Sequence, residues 1–157
     1  MKYSLLTKEQ LEELHPEFIR FLATQSIDKK EWDAIKINHP EVAQQELEVF
    51  SDLVWEGVLN KVTYLENLAP QQWFLFKMGD SEIQLILVKL LTTTIDLTSE
   101  DGLLWLEKNI HSESVELFTS QKPYSADKNL DVFNLIQQGA VITKGELFET
   151  VSQFLKG

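Results

Sequence analysis

WFLFKMGDSEIQLILVKL, residues 73–90, is the stretch that decides how this chain folds. WFLFKM (73–78) and EIQLILVKLLTTT (82–94) are dense in aromatic, β-branched and leucine residues, and GDS (79–81) separates them. That is the pattern of strand, tight turn, strand. Gly79 offers the turn a residue that tolerates positive φ. In the second strand both alternating sets are apolar: Ile83, Leu85 and Leu87 on one side, Ile86, Val88 and Leu90 on the other. A strand apolar on both faces is covered on both and belongs in the middle of a sheet.

Upstream of this hairpin the period is helical. Thr7-Lys-Glu-Gln10 is a capping box, flanked by Leu6 and Leu11 as a hydrophobic staple. Leu11, Leu14, Phe18, Phe21 and Leu22 form a helical stripe. Pro16 lies inside it and should kink or split the helix near His15, because proline lacks the backbone donor and crowds the preceding turn. Asp28 repeats the device, with Glu31 three residues on and Ile27 and Trp32 as the staple, so a short helix over about 29–37 follows. Pro40 suits a first helical position and starts a long helix. Its stripe runs through Val42, Glu46/Leu47, Val49/Phe50, Leu53/Val54, Val58, Val62 and Leu65. Gly57 weakens it by roughly 1 kcal/mol relative to alanine. The alternation in KVTYL (61–65) permits a short strand; the sustained helical period favours helix to about residue 66.

Downstream, Leu97 to Asp101 opens a helix with acidic residues in its first turn, where the dipole favours them. Leu103, Leu104, Trp105, Leu106 and Ile110 supply its apolar surface. SVELFTS (114–120) alternates and reads as a third strand. A helix over about 127–138 carries Leu130, Phe133, Leu135 and Ile136, and a last helix carries Leu147, Phe148, Val151, Phe154 and Leu155. The short 79–81 turn makes the first strand pair antiparallel. The expected class is therefore α+β: a small antiparallel sheet of about three strands with one central hairpin, covered by five to six helices. The length of 157 residues fits one globular domain over 1–157.

Composition narrows the chemistry. There is no cysteine, which removes disulfides, thiol nucleophiles and cysteine-based zinc sites. The formal net charge is −11, spread evenly: residues 1–70 hold 7 basic and 13 acidic residues, and residues 71–157 hold 7 and 12. Such a surface repels phosphate backbones and anionic lipid. Arg20 is the only arginine, so bidentate readout of phosphate or bases is poorly supplied. The start, MKYSLLTKEQ, has no apolar segment of a secretory signal, and LILVKLL (85–91) is too short to span a bilayer. A cytoplasmic protein that binds neither nucleic acid nor membrane is expected.

No standard nucleotide loop and no nucleophile elbow occur in the sequence. Glu12 and His15 have the spacing that puts both on one helix face, as in di-iron carboxylate bundles, but the motif is not repeated at His39 or His111. Ser81 beside Asp80 belongs to a hairpin tip. No catalytic residue, metal site or cofactor is assigned.

Trp55 lies next to Val54 on the long helix, about 100° round from it, and either widens the core stripe or anchors a partner. In QQGAVITKGELF (137–148), Gly139 fits the left-handed stop after a helix. Thr143 is expected to cap the last helix, with Glu146 as its box partner and Ile142 and Leu147 as the staple. Gly145 is left without a capping duty. It reflects either close packing of another backbone or an anion on the free amides beside Lys144. Packing is favoured, because the Thr143 and Glu146 side chains already occupy the anion's place.

LTKEQLEELHPEFIRFLA, FSDLVWEGVLNKVTYLE and FNLIQQGAVITKGELFETV resemble segments of a family of small bacterial proteins with no assigned function. The resemblance samples the chain from end to end, and implies a complete protein without supplying an activity or a site residue. The function expected is a non-catalytic protein-interaction or self-associating domain. The alternative is a small-molecule binder or enzyme with an acidic pocket of unfamiliar type. Nucleic-acid binding is weakest, since the last helix sets Lys144 and Lys156 against Glu146 and Glu149.

Overall fold

The computed structural model describes all 157 residues, and the chain divides into two compact units, Met1–Asn60 and Lys61–Gly157. The first unit is helical: α1 (Lys8–Glu13), α2 (His15–Ala23), α3 (Lys29–Asn38) and α4 (Pro40–Leu59). Its boundaries follow local signals. Thr7 Oγ1 accepts from the Gln10 amide at 3.1 Å and the Gln10 side chain returns the bond to Thr7 N at 2.9 Å, completing the capping box. Asp28 Oδ1 accepts from the Glu31 amide at 2.8 Å. Pro16 lies in the first turn of α2, so the stripe is split at Leu14 and not merely bent. Pro40 opens α4.

Aromatic stacking fills this unit's core. Phe18 meets Trp32 edge-on at 5.1 Å between ring centres and Phe50 at 5.0 Å, with Leu6, Leu22 and Ala43 buried around them. The N-terminal segment is tied to α4 through its backbone amides. Asp52 accepts from Lys2 N at 2.7 Å and Tyr3 N at 2.9 Å, and the fully buried Ser51 hydroxyl accepts from Leu6 N at 3.1 Å. Without the Ser51 hydroxyl the Leu6 amide would be buried without a partner.

The second unit holds a five-stranded antiparallel sheet in the order β4-β3-β2-β1-β5. The strands are β1 (Tyr64–Ala69), β2 (Gln72–Met78), β3 (Glu82–Leu90), β4 (Val115–Pro123) and β5 (Val141–Thr143), with α5 (Gly102–Asn109), α6 (Lys128–Gln137) and α7 (Glu146–Lys156). The predicted hairpin is β2–β3, and β3 has a neighbour on each side. One of its faces, Ile86, Val88 and Leu90, is buried; the other, Ile83, Leu85 and Leu87, is half-buried. The buried face joins Trp73 and Leu75 of β2 in a core closed by Leu97, Leu106, Ile110, Phe148 and Val151.

Several expectations are corrected. The sheet has five strands, not about three, and the helices number seven. Residues 61–66 do not extend α4, which ends at Leu59; Tyr64, Leu65 and Glu66 are strand, paired to both β2 and β5. Val62 and Leu65 prolong the helical stripe in phase and are buried, but both lie beyond the end of α4. The 97–101 segment turns on Asp96, whose Oδ1 accepts from Thr98 N at 2.8 Å, and α5 starts later with no acid in its first turn. Gly102 explains the late start. A Cβ there would stand 2.1 Å from the Leu97 carbonyl oxygen, so only glycine lets the helix begin this close to the loop. Gly79 does not use positive φ; its amide bonds Glu82 O at 2.9 Å and its carbonyl accepts from the Tyr124 hydroxyl at 2.7 Å.

Candidate functional site

A group of interacting polar side chains lies where α7 starts over the sheet. Tyr64 stands directly opposite Lys77 on β2 and Thr143 on β5. Period-two alternation sends these three side chains to one face. Glu149, in the first turn of α7, completes the group. Its Oε1 accepts from the Tyr64 hydroxyl at 2.7 Å and from Lys77 Nζ at 2.9 Å. The Lys77 ammonium also lies 5.6 Å from the Tyr64 ring centre and 6.0 Å from that of Phe148.

The electrostatics stabilise the resting charge states. The Tyr64 hydroxyl bond and then the Lys77 bond hold the Glu149 carboxyl below the usual carboxylate range. The same bond from Tyr64 to the Glu149 anion, helped by desolvation, pushes the phenol up. The Lys77 ammonium is pushed up by its bond to Glu149. The three shifts hold Glu149 as the anion, Lys77 as the cation and Tyr64 as the neutral phenol. The trio is a latch for α7.

Gly145 belongs to this latch. It is the residue before α7, left-handed at φ +85°. A Cβ on it would stand 2.3 Å from the Tyr64 ring. The close neighbour is thus an aromatic ring, not another backbone. The capping expectation for Thr143 is corrected: Thr143 lies in β5, its Oγ1 accepts from Gly145 N at 3.2 Å, and α7 begins at Glu146. Thr143 does not cap at its expected register because the left-handed Gly145 intervenes and the first helical residue is Glu146. Lys144 is exposed beside a shallow concavity of about 270 Å³ lined also by Glu66, Thr143, Glu146 and Leu147. Burial pushes the Glu66 carboxyl up.

Trp55 is half-buried and packs against the aromatic core of the first unit. Glu12 and His15 do not share a helix, because α1 ends at Glu13 and α2 begins at His15. His39 Nδ1 lies 3.6 Å from Glu41 in an exposed pair. No group of three or more histidine, aspartate or glutamate side chains converges to hold a metal.

On the opposite sheet face, Phe74 and Phe76 stack at 6.4 Å with planes 9° apart. They floor a groove beside α6 of about 280 Å³, with Leu85, Leu135 and Ala140. A neighbouring hollow, also about 280 Å³, shares Phe76, Leu85 and Leu135 and reaches Lys122 and Asp131. Both Asp131 oxygens are engaged at 2.7 Å by Ser125, one by its amide and one by its hydroxyl.

The sheet ends on two open strands that carry exposed apolar side chains: Phe118 on β4 at 57% exposure, and Val141 and Ile142 on β5 at 62% and 44%. Tyr64, Lys77, Glu149 and Phe118 escaped the sequence reading. No spacing rule marks the first three, since β1 pairing and the approach of α7 bring them together across 85 residues.

The family model for a family of unknown function (DUF6495) matches residues 1–156. No curated protein and no solved structure matches the chain. No helix is long and apolar enough to cross a membrane.

Proposed function

The chain belongs to the DUF6495 family, whose function is unknown, and we propose from its own surface that it is a non-catalytic interaction protein working through the open edges of its sheet. The observation that carries this is the exposure of Phe118, Val141 and Ile142 on strands that each have one neighbour. An open strand presents unpaired backbone donors and acceptors to another chain, and large apolar residues beside it reward burial. The lack of cysteine is compatible with a reducing cytoplasm, and the net charge of −11 favours a protein partner over nucleic acid or anionic lipid.

The test is edge-specific loss of association. Wild type, Phe118→Lys and Ile142→Lys are compared by sedimentation and as bait in native extract, with circular dichroism confirming the fold. Wild type should associate, with itself or a foreign protein, and at least one variant should lose that association. A wild type that stays monomeric and retains nothing beyond what both variants retain would sink the reading.

The groove beside α6 favours a second reading, a binder of small amphipathic molecules: its aromatic floor is apolar and its rim holds Lys122 and Asn134. Phe76→Ala should then abolish ligand-induced thermal shifts in a panel of aromatic carboxylates; no shift with wild type removes it.

A further inference from the structure

We infer that the partner of the β4 edge is a second copy of this chain, paired antiparallel about a two-fold axis through Thr119. This deepens the interaction reading above and rests on it.

The open side of β4 can be read from its pairing. Leu91 N donates to Ser114 O at 2.8 Å, so the even-numbered residues from Ser114 onward turn their backbone groups toward β3. By alternation Leu117, Thr119 and Gln121 turn theirs outward. The ends of this row are closed. Val115 N is taken by Ser112 O at 3.3 Å, and Pro123 has no amide. The free donors are thus symmetric about Thr119. In a self-paired ladder centred there, Thr119 pairs with its own copy and Leu117 pairs with Gln121. Every remaining outward amide then meets a carbonyl.

The side chains choose the same register. Glu116, Phe118, Ser120 and Lys122 share the sheet face that carries Leu85 and Leu87. Two-fold pairing about Thr119 sets Glu116 opposite Lys122 of the other copy, twice, in pairs of opposite charge. Neither residue makes an ion pair within its own chain. Phe118 falls opposite Ser120 and diagonal to the other Phe118, at roughly 7–8 Å, within reach of aromatic contact. Shifting the register by two residues opposes Glu116 to Ser120 or Lys122 to Phe118 and loses both ion pairs. An edge strand that already carries a lysine, a proline and a glutamate resists indiscriminate pairing; in this one register the same residues become complementary.

The test is sedimentation equilibrium at low salt on the full chain and four variants. Thr119→Pro removes the central outward amide, which β3 does not use, and proline is tolerated on that side of an edge strand. It should give a monomer with an unchanged circular dichroism spectrum. Glu116→Lys and Lys122→Glu should each weaken the dimer on the order of tenfold, by placing like charges opposite each other twice. The double reversal Glu116→Lys/Lys122→Glu should restore wild-type affinity to within about 3-fold. Restoration cannot come from a merely structural effect of either residue, so the charge cycle decides the matter even if Thr119→Pro misfolds. A monomeric wild type overturns the inference, and so does a dimer whose affinity the charge variants leave unchanged. In the second case self-association, and with it the proposed function, survives at another surface. In the first, capture of a foreign protein that Phe118→Lys loses would keep the proposed function without this partner.

Discussion

Residues 1–60 and residues 61–157 are built by different means. In the first region each element announces itself within a few residues: a capping box at Thr7, a cap at Asp28, a proline at the head of α4. Its aromatic core, Phe18 against Trp32 and Phe50, is the sum of stripes already visible on single helices. In the second region the decisive contacts are remote in sequence. β1 is sandwiched between β2 and a three-residue strand that arrives some 75 residues later, and α7 is latched to the sheet by Tyr64 and Lys77. Helices carry their hydrogen bonds with them, whereas a strand exists only by virtue of its neighbours.

Single substitutions probe the two regions separately. The largest effect is expected from Phe18→Ala, which removes the ring shared by Trp32, Phe21 and Phe50. About 3–5 kcal/mol should be lost, read as faster amide exchange throughout residues 1–60. If only the amides around Phe18 respond, this region is not one cooperative core. Next comes Gly102→Ala in the sheet region. The methyl would meet the Leu97 carbonyl oxygen at 2.1 Å, a backbone atom that cannot rotate away. A loss of about 1–3 kcal/mol in urea unfolding is expected; a neutral result would show that the 97–101 loop yields freely.

Gly57→Ala tests the opposite case. A Cβ at Gly57 meets nothing within 4 Å and the residue is helical. A gain of about 1 kcal/mol is expected in the same measurement, since only helix propensity changes. Two glycine-to-alanine changes of opposite sign would separate a glycine required by a distant neighbour from one that is merely tolerated. The smallest effect concerns pH. The Glu149 carboxyl is lowered in the folded chain, so its contribution is present above the ordinary carboxylate range and is lost as pH falls through the folded value. The group is nearly half exposed, so the effect is modest. Glu149→Gln should flatten the acid limb of the stability profile, and an unchanged limb would assign that slope to other carboxylates.

What was legible in the sequence follows the same division. The β2–β3 hairpin was legible because one tight turn and two dense apolar runs lie adjacent. Gly139 was legible as a helix stop, and its φ of +111° fits that duty. Residues 61–66 were not, because Val62 and Leu65 continue the α4 stripe in phase although the helix has already ended at Leu59. The polar latch was unreadable for the same cause: Tyr64, Lys77 and Glu149 are each ordinary surface residue types, and only pairing makes them neighbours.

Local chemistry was enough to establish the α+β class, the caps and breaks of the first three helices and the central hairpin, because each of these is written into fewer than about 15 consecutive residues. The sheet's two further strands, its order, the true start of α7 and the ring against Gly145 came from the assembled chain. They depend on hydrogen-bond partners and packing neighbours that no local window contains. Gly145 shows the boundary well. The sequence marks it as a glycine in need of a reason, and the reason is a tyrosine 81 residues earlier, carried to it by β1 and β5.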